Sequence, residues 1–459
     1  MVGGGKKKQT RSNRSSIHRL KEDRISQLPD SLLCKILGHL PAKEAVKTSV
    51  LSTRWKSLWL WAPSLELDSN KFPDFNAFAS LGDRFFDSNR VSCIDKLELK
   101  VYESDNDDVE DYVAYFTSWI DAAVKRKVQH LHVVSLPDEY SFEIPISLYI
   151  SQTLAFLKLQ LVALVSAESF SLPCLKTMHL EEIWFQYPNE TTFERLVSSC
   201  PVLEELKIIE FGNAPNVFRV HSFSLKRLEI KIRYALTDDY LNVVIDAPLL
   251  RWLRIDDCLS ERYMINNLDS GAKLDISLSF GELLPNEETV SSKRYIIRDL
   301  LPRISEVGEM IMYLDIFKVI HYYSKLEPLP HFGYMSRLDI TLCVSDLKWL
   351  PTFLEHCPNL KSLVLKLDTQ FKEIHSEEMK QIRFSHVPQC LLSSLKFVDI
   401  KSTISGYTAE MKLVRYFLES SAILKKLTLR LKYCSNEIVI FKKLLKIPRR
   451  STKCQVVVL

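Results

Sequence analysis

Two hydrophobic periods divide this chain. Between residues 28 and 61 apolar side chains recur at spacings of three and four, the period of a helix with one buried face. Pro29 suits a first helical turn, and Leu32, Leu33, Ile36, Leu37 and Leu40 make the first stripe. Pro41 stops that helix. Ala45, Val46 and Val50 mark a second face, and Trp55, Leu58 and Trp59 a third, with Trp61 close behind. A unit of about 40 residues rarely stays folded without a staple or a partner. Residues 23–61 offer no disulfide pair and no metal-ligand set, so their surplus of apolar side chains predicts an outside partner.

Beyond residue 90 a strand period takes over. The phrase L-x-x-L-x-L returns as LEELKI (203–208), LKRLEI (225–230), LRWLRI (250–255), LKSLVL (360–365) and LKKLTL (424–429). Looser versions are VQHLHV (128–133), LAFLKL (154–159), LKTMHL (175–180), MSRLDI (335–340) and LKFVDI (395–400). Their last three positions alternate apolar, polar, apolar, as a strand buried on one face requires. Helical runs that end in a breaker, FERLVSSCP, WLPTFLEHCP and VRYFLESSA, precede several of them. From 128 to 250 the phrases start 26, 21, 28, 22 and 25 residues apart, close to the ~20–29 of stacked repeats. Such units cannot bury their faces alone, so the pattern predicts an α/β solenoid, with a sandwich of unrelated strands and helices as the alternative. Between 277 and 330 the phrase fades, and EETVSSKRYIIRDLLPRI with IFKVIHYYSKL reads as mostly helical.

Composition narrows the class. The 459 residues are 46% hydrophobic and 26% charged, values of a soluble globular protein. Ten cysteines are scattered without a C-x-x-C pair, which predicts reduced thiols in the cytoplasm and/or nucleus. LYISQTLAFLKLQLVALVSA is the most apolar window, but Gln152, Lys158 and Gln160 interrupt it, so no membrane association is expected. Residues 1–22 carry seven basic side chains against Glu22, a balance of +6, which leaves −2 of the net +4 for the remainder. A near-neutral body predicts no nucleic-acid partner. The Gly-, Ser- and Lys-rich tail reads as disordered; a nuclear address and a solvated tail without a role both fit it.

The first segment resembles the F-box. The match rests on Leu28-Pro29, Leu32-Leu33, Ile36-Leu37, Leu40-Pro41, Val50-Leu51-Ser52, and Arg54-Trp55 with Leu58 and Trp59. The resemblance implies three helices that dock on a Skp-type adaptor, and through it on a cullin–RING ubiquitin ligase. Gly38 inside the first helix and His39 beside it depart from the pattern. The phrases look like irregular leucine-rich repeats, although only LRWLRIDDC sets a cysteine, Cys258, where a buried ladder residue belongs; Phe211 and Arg233 stand there in others. From about His386 the chain is similar to the FBD domain of plant F-box proteins, carried by Pro388, Cys390-Leu391, LKFVDI, Gly406, EMKLVRYFLESSAILKKLTL and IPRRSTKCQVVVL. Strand, helix, strand, helix, strand is expected there, covering the open end of the repeats. The expected division is thus a basic tail (1–22), an F-box (23–66), irregular repeats (67–385) and an FBD-like cap (386–459).

No catalytic motif interrupts this reading. G-x-G-x-x-G, a phosphate loop, H-E-x-x-H and G-x-S-x-G are all missing from the sequence, so no cofactor is expected. His130 and His132 share a strand face at a metal-compatible spacing; with Leu131 and Val133 inward, both are expected to face water. ESDNDDVED (103–111) lacks the central glycine of a calcium loop, and Phe116 stands where its bidentate glutamate would be. Lys442, Lys443, Lys446, Arg449, Arg450 and Lys453 read as a solvated face. The expected function is a non-catalytic substrate receptor that binds an adaptor and an unidentified target protein. The docking residues are Leu28, Pro29, Leu32, Leu33, Ile36, Leu37, Leu40, Pro41, Val46, Trp55, Leu58 and Trp59. A repeat scaffold or ligand sensor acting outside the ligase is the alternative.

Overall fold

The computed structural model describes residues 24–87, 93–102, 110–135, 142–186, 191–212, 217–232, 241–258, 260, 262–266, 268–279, 285–368, 383–384, 386–404, 408–431 and 437–459. The tail 1–22, Arg233, Gly406 and most of the acidic run 103–111 lie outside them.

The two prolines start the first two helices. α1 (Asp30–Leu37) follows Pro29 and places Asp30 in its first turn, where a carboxylate suits the positive helix end. α2 (Ala42–Lys47) follows Pro41, and 3-10 turns at Thr48–Val50 and Trp55–Trp61 complete the unit. The tryptophan stripe is thus wound as a 3-10 helix, not an α-helix. Gly38 is not interior to α1; it is the residue that ends it, with φ −64°. A β-carbon there would stand 3.0 Å from Ser64 Oγ and 3.2 Å from Pro63 Cδ, and the Ser64 hydroxyl donates to the Gly38 carbonyl. Glycine lets the end of α1 seat against the chain entering the first strand.

The strands are β1 (Ser64–Asp68), β2 (Lys96–Lys100), β3 (His130–Val134), β4 (Phe142–Glu143) and β5 (Phe156–Gln160). Then follow β6 (Val162–Leu164), β7 (Thr177–Phe185), β8 (Glu205–Phe211), β9 (Val217–His221) and β10 (Arg227–Ile232). Next come β11 (Asn242–Asp246), β12 (Trp252–Asp257), β13 (Arg262–Asn266), β14 (Lys273–Leu278) and β15 (Glu309–Met312). The last are β16 (Arg337–Cys343), β17 (Ser362–Asp368), β18 (Phe397–Ile404), β19 (Lys426–Leu431) and β20 (Gln455–Val458).

Every described pairing is parallel. The main ladder runs in chain order through β1, β2, β3, β5, β7, β8, β10, β12, β14, β15, β16, β17, β18, β19 and β20. Each of the ten phrases read from the sequence ends in one of these strands. Their leucines stack: Leu97, Leu131, Leu157, Met178, Leu206, Leu228 and Leu253 are neighbours in register, all with less than 1% exposure. Burying each contributes about 2 kcal/mol. β1, β2, β14, β15 and β20 extend the ladder where the phrase had not been read, although SLELD, KLELK and KLDISL carry the same alternation. The stretch 277–330 is helical as expected at α6 (Glu287–Ser292), α7 (Arg294–Ile304) and α8 (Leu314–Tyr323), with β15 inserted.

A second layer has no counterpart in the phrase. β9, β11 and β13 form a separate three-stranded parallel sheet, and β4 and β6 pair alongside the far end of β7. Leu161, Glu182 and Glu210 have φ of 56°, 54° and 53° at one register position of β5, β7 and β8. Such left-handed residues cost of order 1–3 kcal/mol each and turn the backbone out of the main ladder. Phe211 is buried there, 5.1 Å from the Phe218 ring.

The earlier helices are α3 (Phe75–Phe86), α4 (Glu110–Lys125) and α5 (Thr192–Ser198). Later ones are α9 (Leu350–Glu355), α10 (Gln389–Ser393), α11 (Thr408–Ser420) and α12 (Glu437–Leu445). The C-terminal order β18–α11–β19–α12–β20 is the expected alternation. It continues the ladder from the edge of β17, and among the described strands β20 pairs with β19 alone.

Candidate functional site

Two surfaces have the chemistry to bind. The first is the outward side of the helical unit. In α1 the faces separate cleanly: Leu33 and Leu37 are buried, while Leu32 and Ile36, one turn apart, are 47% and 46% exposed. Leu40 is also exposed, as are Pro29 and Pro41; Leu28 and Val46 are partly covered. Trp55, Leu58 and Trp59 are buried against the chain's own core. Trp59 stacks on Phe85 of α3 at 6.4 Å, and the Arg84 guanidinium lies 5.6 Å from the Trp59 ring.

The stripes of the sequence therefore mix two roles. Of the twelve residues expected at the docking face, Leu33, Leu37, Trp55, Leu58 and Trp59 are instead buried in the chain's own core, where α1 packs on the Trp55–Trp61 turn and Trp59 meets Phe85 of α3. The excess of apolar side chains is partly consumed inside the molecule. Sequence periodicity cannot separate these sides, because a helix packed on its own chain and one packed on a partner repeat alike. Ile25, Val50, Leu51 and Trp61 are exposed as well, Val50 at 87% and Leu51 at 64%, beyond Leu32, Ile36 or Leu40. Val50 lies on the second apolar face read from the sequence, yet all four stand outside the expected docking set.

Arg54 organises this face. Its Nε donates to Asp30 Oδ1 at 2.9 Å, Nη2 donates to the Leu28 carbonyl at 2.6 Å, and Nη1 donates to the Ser26 carbonyl. The guanidinium thereby holds the Leu28–Asp30 entry to α1 while Trp55 packs beneath.

The second surface is the polar face of the ladder, one residue out of step with the leucines. Across β2, β3, β5, β7 and β8 it presents Glu98, His132, Lys158, His179 and Lys207 in register. Two three-charge groups flank His132. Lys96 and Lys100 reach Glu98 at 2.5 and 3.1 Å; Lys158 and Lys207 reach Glu181 at 3.0 and 3.4 Å. Burial alone would raise the Glu98 pKa, but the bonds from Lys96 and Lys100 overrule it and bring the carboxyl down to about 2. Lys158 and Lys207 likewise lower Glu181 against its burial.

His132 does not face water freely. It is half-buried, and its Nε2 is shielded with no hydrogen-bond partner, which costs about 1–3 kcal/mol. Burial first, then Lys100 and Lys158, push its pKa down to about 4, so the ring is neutral near pH 7. His130 is exposed, its ring 5.8 Å from Phe156. A hollow of about 260 Å³ lies over these residues, and one of about 520 Å³ adjoins it at Lys96 and Glu98, reaching His39 at the end of α1.

Neither surface assembles a catalytic constellation. Among the described residues no cluster of three or more His, Cys, Asp or Glu could hold a metal ion, and no helix is long and apolar enough to cross a membrane. The described cysteines are all free; burial pushes Cys200 and Cys390 up to about 12, away from thiolate chemistry. Arg449 and Arg450 of the basic C-terminal run donate to the Cys454 and Ser420 carbonyls, while Lys442, Lys443 and Lys446 are solvated.

Comparisons with known proteins match this layout. A family model for the F-box domain matches residues 25–66 and one for FBD matches 382–429. A third, for the LRR repeats of the FBD-associated F-box protein At5g56370, matches 116–276. The Arabidopsis thaliana FBD-associated F-box protein At5g53635 is 60% identical over 434 residues, covering 94% of this chain and 99% of that one. F-box/FBD/LRR-repeat protein At2g05300 of the same plant is 52% identical, covering 96% and 98%. F-box/FBD/LRR-repeat protein At1g51370, also from that plant, is 41% identical over the whole of both chains.

Proposed function

The chain belongs to the F-box/FBD/LRR-repeat family, and on that premise we propose that it is a substrate-recognition subunit of an SCF-type cullin–RING ubiquitin ligase. Its F-box, residues 23–66, binds a Skp-type adaptor. The repeats, 67–385, form a solenoid with the FBD-like region, 386–459, and hold a target protein on their polar face. Transfer of ubiquitin falls to other subunits, so the chain itself is non-catalytic and works in the cytoplasm and/or nucleus.

One observation carries the adaptor half of this reading: Leu32 and Ile36 stay exposed on a helix whose other side is fully buried. An apolar row one turn apart, on a unit already anchored to its own chain, fits a partner's groove. Pro29, Leu40 and Pro41 flank it, with Leu28 and Val46 at its margin; Val50 and Leu51 are added to the interface. The five buried members of the expected set act indirectly, by holding α1 in place. The alternative, a scaffold or sensor outside the ligase, drew its motive from Gly38 and His39. Gly38 has a packing reason of its own against Pro63 and Ser64.

Co-purification with a Skp-type adaptor tests the assignment. Wild type retains the adaptor, and Leu32→Lys with Ile36→Lys loses it while the thermal midpoint stays put, since both side chains are solvent-facing. Leu33→Ala instead lowers stability by about 2–5 kcal/mol. Equal recovery of the adaptor by wild type and the double variant sinks the proposal.

A further inference from the structure

Charge gathers on both sides of the hollow over β2, β3 and β5. Each flanking group counts two lysines against one glutamate: Lys96 and Lys100 around Glu98, Lys158 and Lys207 around Glu181. Two groups at +1 give a local charge of +2, although the body of the protein is slightly acidic. Between them lies His132, with Nε2 unpartnered, and Phe156 and the His130 ring form the apolar wall.

We propose that this hollow receives a carboxylate side chain from an acidic segment of the target, with Lys96 and Lys158, which line it, as counter-charges beside the half-buried His132 ring. This deepens the receptor reading and rests on it. A carboxylate fits where a cation does not: a cation would sit between Lys96 and Lys158, whereas an anion completes the charge that Glu98 and Glu181 leave unmet. Occupancy is coupled to protonation. The empty site holds His132 neutral through burial, Lys100 and Lys158, which Glu98 and Glu181 only partly oppose. An incoming carboxylate adds a third negative charge and raises the affinity of the ring for a proton. Binding therefore takes up a proton and tightens as pH falls. The adjoining hollow by His39 extends the track towards the F-box, so the bound segment lies beside the adaptor-docking unit.

The test uses the full chain co-expressed with a Skp-type adaptor and two fluorescein-labelled decapeptides, one alternating glutamate with phenylalanine and the other glutamine with phenylalanine. Fluorescence anisotropy reads the affinities. The glutamate peptide binds at least about tenfold tighter than the glutamine peptide, and Lys158→Glu or Lys96→Glu removes that preference. Reversal at the distant Lys442 leaves it intact. As pH falls from ~7 towards ~5 the wild-type affinity rises, and His132→Gln abolishes the rise. Equal affinities for the two peptides, no measurable binding of either, or an unchanged preference in Lys158→Glu overturns the site. A pH slope that survives His132→Gln shows that this ring is not the group that takes up the proton. Adaptor retention by the same variants is read separately, so failure here is distinguishable from failure of the ligase assignment.

Discussion

At the scale of single residues, the sequence sorted polar from apolar but could not show which polar groups the fold would strand. Asp275 on β14 occupies a polar-face position in register with Arg254, as alternation requires. The structure leaves it only 6% exposed, with Oδ1 unpartnered. Burial raises its pKa against the pull of Arg254 and Lys273, and Glu229 and Asp256 add to the rise. A folded-state pKa above the unfolded one means the folded chain holds this proton more tightly. The group then costs stability above its folded pKa, and the cost vanishes as pH falls into the carboxyl range. Asp275→Asn is expected to stabilise the protein by about 1 kcal/mol at neutral pH, with the gain shrinking towards ~pH 4. Urea unfolding at several pH values measures this; a variant less stable than wild type at pH ~7 contradicts it. His132 follows the same logic with the opposite charge: one residue from the leucine stack was readable, the missing partner was not.

At the scale of elements, prolines mark where α1 and α2 begin, and close packing explains where local signals mislead. Glycine inside a helix costs about 1 kcal/mol relative to alanine, yet Gly82 sits in the middle of α3. Trp119 of α4 lies across it, and a β-carbon at Gly82 would fall inside the indole ring. The same indole donates from Nε1 to Asp83 Oδ1 at 2.9 Å, which locks the crossing of α3 and α4. Gly82→Ala should therefore destabilise by about 1–3 kcal/mol despite its better helix propensity. Thermal melts of that variant beside Gly271→Ala, where a β-carbon meets nothing nearer than 3.6 Å, separate packing from propensity. A stabilised Gly82→Ala would show that α3 and α4 are not clamped this way. The F-box stripes teach a related lesson. Leu32 and Leu33 are adjacent letters with opposite fates, because α1 has a partner on one side within the chain and open solvent on the other.

At the scale of the whole molecule, one parallel ladder joins the F-box end to the FBD end, and its two ends differ. β1 packs against α2 and α3, whereas β20, among the described strands, pairs with β19 alone. Removing residues 455–459 would strip β20 from β19 and bare a fresh edge beside the fully buried Leu427 and Leu429. The expected result is a lower thermal midpoint and increased light scattering, since an open edge templates association. Adaptor retention should persist, because the F-box rests on the other end of the ladder. An unchanged midpoint would mean that β20 contributes no stability.

The sequence by itself determined the parts and their order: a helical unit with surplus apolar stripes, strand phrases at repeat spacing, and a terminal strand–helix alternation. Those are local properties, set by periods of 3.6 and 2 and by prolines that begin helices. Only the tertiary structure decided which stripe is spent on the chain's own core, where the second layer of β9, β11 and β13 stands, and that lysines from three strands gather on either side of His132. Such facts depend on side chains dozens of residues apart meeting across a ladder, and a period along one segment carries no information about what will lie against it.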